Sequence, residues 1–270
     1  MKNRLDIFLA ESGMVSSREK AKKLIMAGQI MVNSRPADKA SIEVSDADII
    51  EIKVEDKFVS RGGYKLEKAI DEFKIDLKDK VCMDIGASTG GFTDCMLQNG
   101  AKKVYAIDVG YGQLDWKLRN NEKVIVMERF NARYLEKSML NEAPFFASID
   151  VSFISLSKII KPLFDCLEED GEIVALIKPQ FEAGKEFIGK HGVVKDEKVH
   201  KTVVNNVINE FNIIGYSTIH LSYSPIKGPK GNIEFLLHAK KCKNIVDYTS
   251  NIADNVVKKA HMCLNKGNEG

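Results

Sequence analysis

Residues 81–92, VCMDIGASTGGF, decide the fold. An apolar strand runs into Asp84, a turn carries Gly86, Gly90 and Gly91, and a helix starts at Phe92-Thr93-Asp94. Glycines belong in such a turn because a ligand can then approach the backbone with no Cβ in the way. A second strand, KKVYAID, ends in Asp108, about the spacing at which an acid meets ribose hydroxyls in nucleotide-binding βαβ units. The dinucleotide pattern G-x-G-x-x-G is not met; here it is Gly86-x-x-x-Gly90-Gly91, preceded by an acid on the strand. A carboxylate beside the loop, Asp84, suits a cationic ligand better than a pyrophosphate, which favours S-adenosylmethionine (SAM) over NAD. Ala87, Ser88 and Thr89 complete the expected cofactor cradle.

Working outward, helix and strand patterns alternate from Ser60 to about residue 241. Strands are expected at 81–85, 104–108, 124–128, 145–150, 172–178, 214–223 and 233–239. Helices are expected near 61–73, 92–99, 112–119, 132–139, 155–168 and 194–210. Short apolar strands between helices call for a mostly parallel sheet covered on both faces. The last two strands are joined by SPIKGPKGN, too short for a crossover helix, so that pair is expected to be antiparallel. The expected class is α/β: a Rossmann-like, seven-stranded methyltransferase sheet with an antiparallel last strand. A small α+β unit precedes it. The expected boundaries are 1–52, a connector at 53–59, the sheet domain at 60–241, and a polar tail at 242–270 with a weak helix at 246–264.

At 270 residues and 44% hydrophobic the chain can bury a full α/β core and a second small unit. Net charge is only +2. The five cysteines are scattered, with no C-x-x-C pair and no His at ligand spacing, so no metal is expected. No apolar run reaches a membrane-spanning length, and the N-terminus lacks a signal-peptide core. A cytoplasmic monomer without a membrane partner is the expectation.

Residues 1–40 hold eight Lys and Arg against four Asp and Glu. RLDIFLAESG reads as a helix closed by Gly13. Ser16 with Glu19 three residues on reads as a capping box, starting a second helix whose apolar face is Ala21, Leu24 and Ile25. Strand QIMVN and a turn at Asn33–Pro36 follow. In order, these elements resemble the small RNA-binding domain first seen in ribosomal protein S-four, over nearly all of residues 3–50. The resemblance implies RNA backbone contacts from Arg4, Arg18, Lys20, Lys22, Lys23, Arg35 and Lys39. Such contacts neutralise phosphates and give affinity rather than sequence choice.

In an open α/β sheet, ligands and reacting groups gather at the carboxyl ends of the strands. That rule selects Asp150 after the fourth strand, Lys178 after the fifth, and Glu234 at the start of the antiparallel last strand. Lys65, in the first turn of the helix beginning RGGYKLEKA, joins them. The order Lys-Asp-Lys-Glu resembles the catalytic tetrad of the FtsJ-like ribose 2′-O-methyltransferases. Together with the N-terminal domain, the motifs SRGGYKL, DIGASTGGFTD, IDVSFISL, LIKPQFE and GNIEFLLH resemble the TlyA-type ribosomal RNA methyltransferases, often catalogued as haemolysins. The resemblance implies SAM as cofactor, ribosomal RNA or ribosomal subunits as partner, and a cytidine as target. It makes Lys65, Asp150, Lys178 and Glu234 the catalytic set, with Lys178 as general base; Lys68 competes with Lys65 for the first place.

A lysine can take a proton from a ribose hydroxyl only in its neutral form, so burial and a neighbouring like charge suit it. There is no Asn/Asp-Pro-Pro-aromatic motif for transfer to a base amino group, and no Pro-Cys nucleophile. Phe153 reads equally as a platform for an unstacked base or as a core residue. Arg129 is a candidate RNA contact and Asn131 a candidate adenine contact. Basic Gly-containing loops at Lys185–Lys195 and Lys227–Lys230 flank the site, either to close over RNA or as ordinary loops. Three rival functions are a non-catalytic ribosome-assembly factor, methylation of a base nitrogen, and a membrane-lytic protein, the last disfavoured by the missing spanning segment.

Overall fold

The computed structural model describes residues 2–52, 56–242 and 251–265; residues 53–55 of the expected connector, and 243–250 and 266–270 of the expected tail, lie outside them. The chain divides into two compact units, Met1–Lys57 and Phe58–Gly270.

The first unit contains β1 (Asn3–Arg4), α1 (Leu5–Glu11), α2 (Arg18–Met26), β2 (Ile30–Val32), β3 (Arg35–Pro36), β4 (Glu43–Val44) and β5 (Ile50–Ile52). β2 lies between β3 and β5, antiparallel to both, and β1 pairs with β4. Leu5 and Leu9 of α1 and Ala21 and Ile25 of α2 are buried with Ile30 and Val44. The cap of α2 is Ser17, not Ser16: its hydroxyl accepts from the Lys20 amide at 3.2 Å. Extended backbone at Ser17 aims the side chain back at the first free N–H groups of the helix.

The second unit carries α3 (Gly62–Phe73), β6 (Val81–Ile85), α4 (Gly91–Gln98), β7 (Lys103–Ile107), α5 (Trp116–Arg119), β8 (Val124–Met127), β9 (Phe146–Ile149), α6 (Ile160–Cys166) and β10 (Glu172–Ile177). It continues with α7 (Pro179–Glu182), α8 (Glu197–Ile214), β11 (Tyr216–Tyr223), β12 (Phe235–Lys241) and α9 (Asn251–Asn265). Seven strands form one sheet in the order β11-β12-β10-β9-β6-β7-β8. Only β12 runs against the rest, inserted between β10 and β11. The five residues of β6 are all buried, as a central strand covered on both faces requires.

The expected helix at 112–119 shortens to α5, because Gly112 turns the chain at φ +70 and Asp115 caps the helix by accepting from the Lys117 amide. Two 3-10 turns, Ala132–Tyr134 and Lys137–Met139, replace the expected helix at 132–139. Phe58, expected in the connector, is buried against Tyr64 at a ring distance of 5.3 Å, and the Val59 amide donates to Asp94 at 2.9 Å. In α9, Ala253, Val257 and Ala260 are buried in the core shared with α8. Among the described residues, no helix is long and apolar enough to cross a membrane, and no group of three His, Cys, Asp or Glu could hold a metal ion.

Candidate active site

The strand order reverses between β6 and β9, and the chain uses that switch point as Rossmann-like sheets do. Past β6, the Gly86 amide donates to Ile107 O at 2.8 Å; past β9, the Asp150 amide donates to Ile85 O at 2.9 Å. The two loops touch at Gly86, which sits at φ +85 and where a Cβ would lie 2.6 Å from the Asp150 carbonyl oxygen. Only glycine allows both the left-handed turn and that approach.

Two adjoining cavities meet at this point. One, of about 400 Å³, lies between the ends of β6, β7 and β9, with apolar walls from Ile107, Phe130 and Ile154 and polar groups from Asp108 and Asn131. The other, of about 320 Å³, is lined by Lys65, Lys178, Ser60, Ala87 and Thr89. Gly86, Ser88, Asp150 and Ser152 line both. The Asp108 carboxylate accepts from the Gly110 amide at 2.6 Å and the Ser88 amide at 2.8 Å. These bonds hold it at the rim with further acceptor capacity on each oxygen. Asn131 Oδ1 accepts from the Arg133 amide at 3.1 Å, capping the turn that follows β8.

The four charges expected at the carboxyl edge come together. The register of β10 and β12 sets Ile177 opposite Phe235, so Lys178 and Glu234 leave the sheet side by side. Lys178 Nζ lies 2.5 Å from Asp150 Oδ1, an ion pair bent away from hydrogen-bond geometry, and donates to Ser152 Oγ at 3.1 Å. Lys65, buried on α3, donates to Glu234 Oε2 at 2.7 Å. Burial pushes the Glu234 carboxyl up, opposed by Lys65 and Lys178, while Asp150 adds to the rise. One carboxylate thus feels the other three charges. Lys68 takes no part: its ammonium donates to Tyr223 O at 2.6 Å and sits 3.6 Å from the centre of the Tyr223 ring.

Two expected cofactor residues take a different place. Asp84 is fully buried, accepting at 2.8 and 2.7 Å from the Thr93 amide and hydroxyl and at 3.1 Å from Ser148. It braces the start of α4 and lines neither cavity, because its side chain leaves the sheet beneath that helix. Burial pushes its carboxyl up to about 7, with the Asp150 charge adding to the rise and the three hydrogen bonds opposing it. Gly90, at φ +95, packs on Leu114 and Leu118, where a Cβ would collide. The carboxylates at the cavity rim are Asp108 and Asp150 instead. Sequence reasoning gave no role to Ser152, although it lies in the IDVSFISL motif, and missed Gln113 and Phe130, which carried no motif; all three arrive through loops after separate strands.

Phe153 is 91% exposed at φ +65, its ring 5.1 Å from that of Phe181, so the core reading of this residue does not hold. Arg129 is exposed at φ +54, its guanidinium 4.1 Å from the Tyr111 ring centre. In the first unit Lys20, Lys22, Lys23, Arg35 and Lys39 are exposed. Arg4 and Arg18 are tied at 3.0 and 2.8 Å to the carboxylate of buried Asp6. Burial pushes Asp6 up, but the two guanidinium groups outweigh it and hold the carboxyl below its ordinary value.

The FtsJ-like methyltransferase family matches residues 58–241, and the S4 domain matches residues 3–50. The chain is 52% identical over 240 residues to YqxC of Bacillus subtilis, covering 88% of this chain and 85% of that one. It is 40% identical over 236 residues to the 16S/23S rRNA (cytidine-2′-O)-methyltransferase TlyA of Mycobacterium tuberculosis, covering 87% and 88%. A solved structure from Streptococcus thermophilus that carries the hemolysin name superposes with a TM-score of 0.79 at 44% identity, covering 100% of this chain and 99% of that one. The chain belongs to the FtsJ-like methyltransferase family and carries an S4 domain ahead of the methyltransferase domain.

Proposed function

We propose that this chain methylates a ribose 2′-hydroxyl of ribosomal RNA, at a cytidine, with SAM as methyl donor. The observation that carries the reading is the alternating set Lys65–Glu234 and Lys178–Asp150, placed where the two cavities share Asp150 and Ser152. The cradle suits the donor. Gly86 admits close approach, Asp108 offers acceptors to ribose hydroxyls, and Ile107, Phe130 and Ile154 give an apolar bed for a base. When bound, SAM supplies an electrophilic sulfonium methyl group.

The residues of the chain supply position and proton transfer. Lys178, in its amine form, takes the proton from the 2′-hydroxyl as the oxygen attacks, and Asp150 and Ser152 hold the resulting ammonium. Lys65, fixed by Glu234, donates to the ribose oxygen and keeps it in line. Phe153 offers a stacking face to a base drawn out of the RNA helix. The S4 domain supplies affinity for the backbone through its exposed lysines.

The test is transfer of labelled methyl from SAM to separated small and large bacterial ribosomal subunits lacking the modification, followed by digestion to nucleosides. Label is expected in 2′-O-methylcytidine and is expected to be lost with Lys178→Ala while SAM still binds. Label in a base-methylated nucleoside, or a K178A variant of full activity, would overturn the reading.

A further inference from the structure

Beside the catalytic cavity lies a third and larger one, of about 970 Å³, whose walls come from the loops preceding α8 and β12. Lys190, Lys195, Lys227 and Lys230 line it against one acid, Asp196. Asp196 is committed to capping α8, accepting from the Lys198 amide at 2.7 Å. Lys227 also lines the catalytic cavity, so the two spaces share a wall.

These loops are stitched together from within. The buried side chain of Asn232 accepts from the Val194 amide at 3.1 Å and donates to Gly192 O at 3.0 Å, while the backbone carbonyl of Asn232 accepts from the Gly228 amide at 2.9 Å. From the other side His200, fully buried on α8, bonds to Val194 O at 3.0 Å and to His261 of α9 at 2.9 Å. A carbonyl only accepts, so His200 Nε2 carries the proton, Nδ1 accepts, and His261 Nε2 donates to it. One buried amide and a histidine relay thus fix both basic loops to α8 and α9. Asn232 stands two residues before Glu234, and Gly228 packs so closely on the Glu234 carboxylate that a Cβ there would overlap it.

A ribose held at Lys178 belongs to a strand with a phosphate on either side. That strand must leave the catalytic cavity, and a wall of ammonium groups held on fixed loops favours phosphates over bases. Fixing the loops beforehand lowers the ordering cost of binding. We propose that Lys190, Lys195, Lys227 and Lys230 form a groove for the phosphates of nucleotides flanking the target, with Asn232 as the positioning residue that joins the groove to Glu234. The proposal rests on the methyltransferase reading above.

The test uses the full chain, a labelled single-stranded RNA oligonucleotide of mixed sequence, and the K190Q/K195Q/K230Q variant. Log affinity is plotted against log salt concentration. Each phosphate contact to a single strand contributes a slope of about 0.7, so loss of three contacts is expected to flatten the plot by about 2. The matching triple arginine variant is expected to keep the wild-type slope. In methyl transfer to ribosomal subunits, the glutamine variant is expected to raise KM and leave kcat near wild type. Asn232→Ala keeps every lysine and is expected to raise KM and lower kcat together. Active wild type with unchanged slope and KM in the glutamine variant would overturn the groove alone. Wild type that transfers no methyl to either subunit, with the slope still flattened, would support the groove and overturn the methyltransferase reading.

Discussion

Asp84→Asn changes one atom of a fully buried side chain and has a calculable effect on stability. Unfolded, the Asp84 carboxyl has its ordinary value of 3.8; folded, burial raises it to about 7. The native state therefore holds the proton more tightly than the unfolded chain. The stability that Asp84 contributes is complete below about pH 4 and is lost as pH rises through about 7. About three units at 1.36 kcal/mol each set the full span at about 4 kcal/mol. Asn never ionises and can keep the bonds: its oxygen takes the Thr93 amide and hydroxyl, and its amide donates to Ser148, whose hydroxyl already faces Met83 O at 3.4 Å. The assay is urea unfolding of wild type and variant between pH 4 and 8, followed by the fluorescence of Trp116, the single tryptophan, which lies in the second unit. The variant is expected to gain up to about 4 kcal/mol on wild type across that range. Parallel stability curves would instead mean that Asp84 titrates alike in both states.

Gly86→Ala places a Cβ at φ +85 against the Asp150 carbonyl; the left-handed backbone alone costs about 1–2 kcal/mol, and calorimetry is expected to show SAM affinity reduced about tenfold or more. Glu234→Gln leaves the buried Lys65 ammonium without its counter-charge and is expected to destabilise the second unit by about 3–5 kcal/mol. The K65M/E234L variant is expected to recover most of that loss in urea unfolding while transferring no methyl. Asp6, held below its ordinary value, contributes stability present above about pH 4 and lost as pH falls through its depressed value. Asp6→Asn is expected to flatten the acid limb of NMR dispersion for residues 5–44, and an unchanged limb would contradict it.

The sheet was legible because β6, β7, β9 and β10 are short apolar runs, each ending in a loop that carries a charge or a glycine. The convergence of Lys65, Asp150, Lys178 and Glu234, the proposed catalytic set, was legible for the same reason, since carboxyl ends can be counted along the chain. Which way a side chain leaves a strand at its end was harder to read, and so Asp84 was expected beside the ligand when it lies under α4. Helix length failed where local chemistry competes. Pro162 lies in the first turn of α6 and sets its start at Ile160, where the sequence pattern ran from 155. The Asn232 and His200 stitching left no sequence signal, because its partners lie 38 and 61 residues apart and are joined only by the tertiary fold.

The strand that brings Glu234 to the site is the last of the sheet in chain order, yet it lies inside the sheet, between β10 and β11. A chain emerging from synthesis has already made the Gly86 turn, Asp150 and Lys178 before residue 234 exists. Until β12 inserts, β10 has a bare edge and Lys65, 169 residues upstream, has no carboxylate to meet. The charged set is therefore completed only by the sheet strand that comes last along the chain. A prematurely ended chain keeps the Gly86 turn, Asp150 and Lys178 but lacks Glu234, and with it the complete set proposed for methyl transfer.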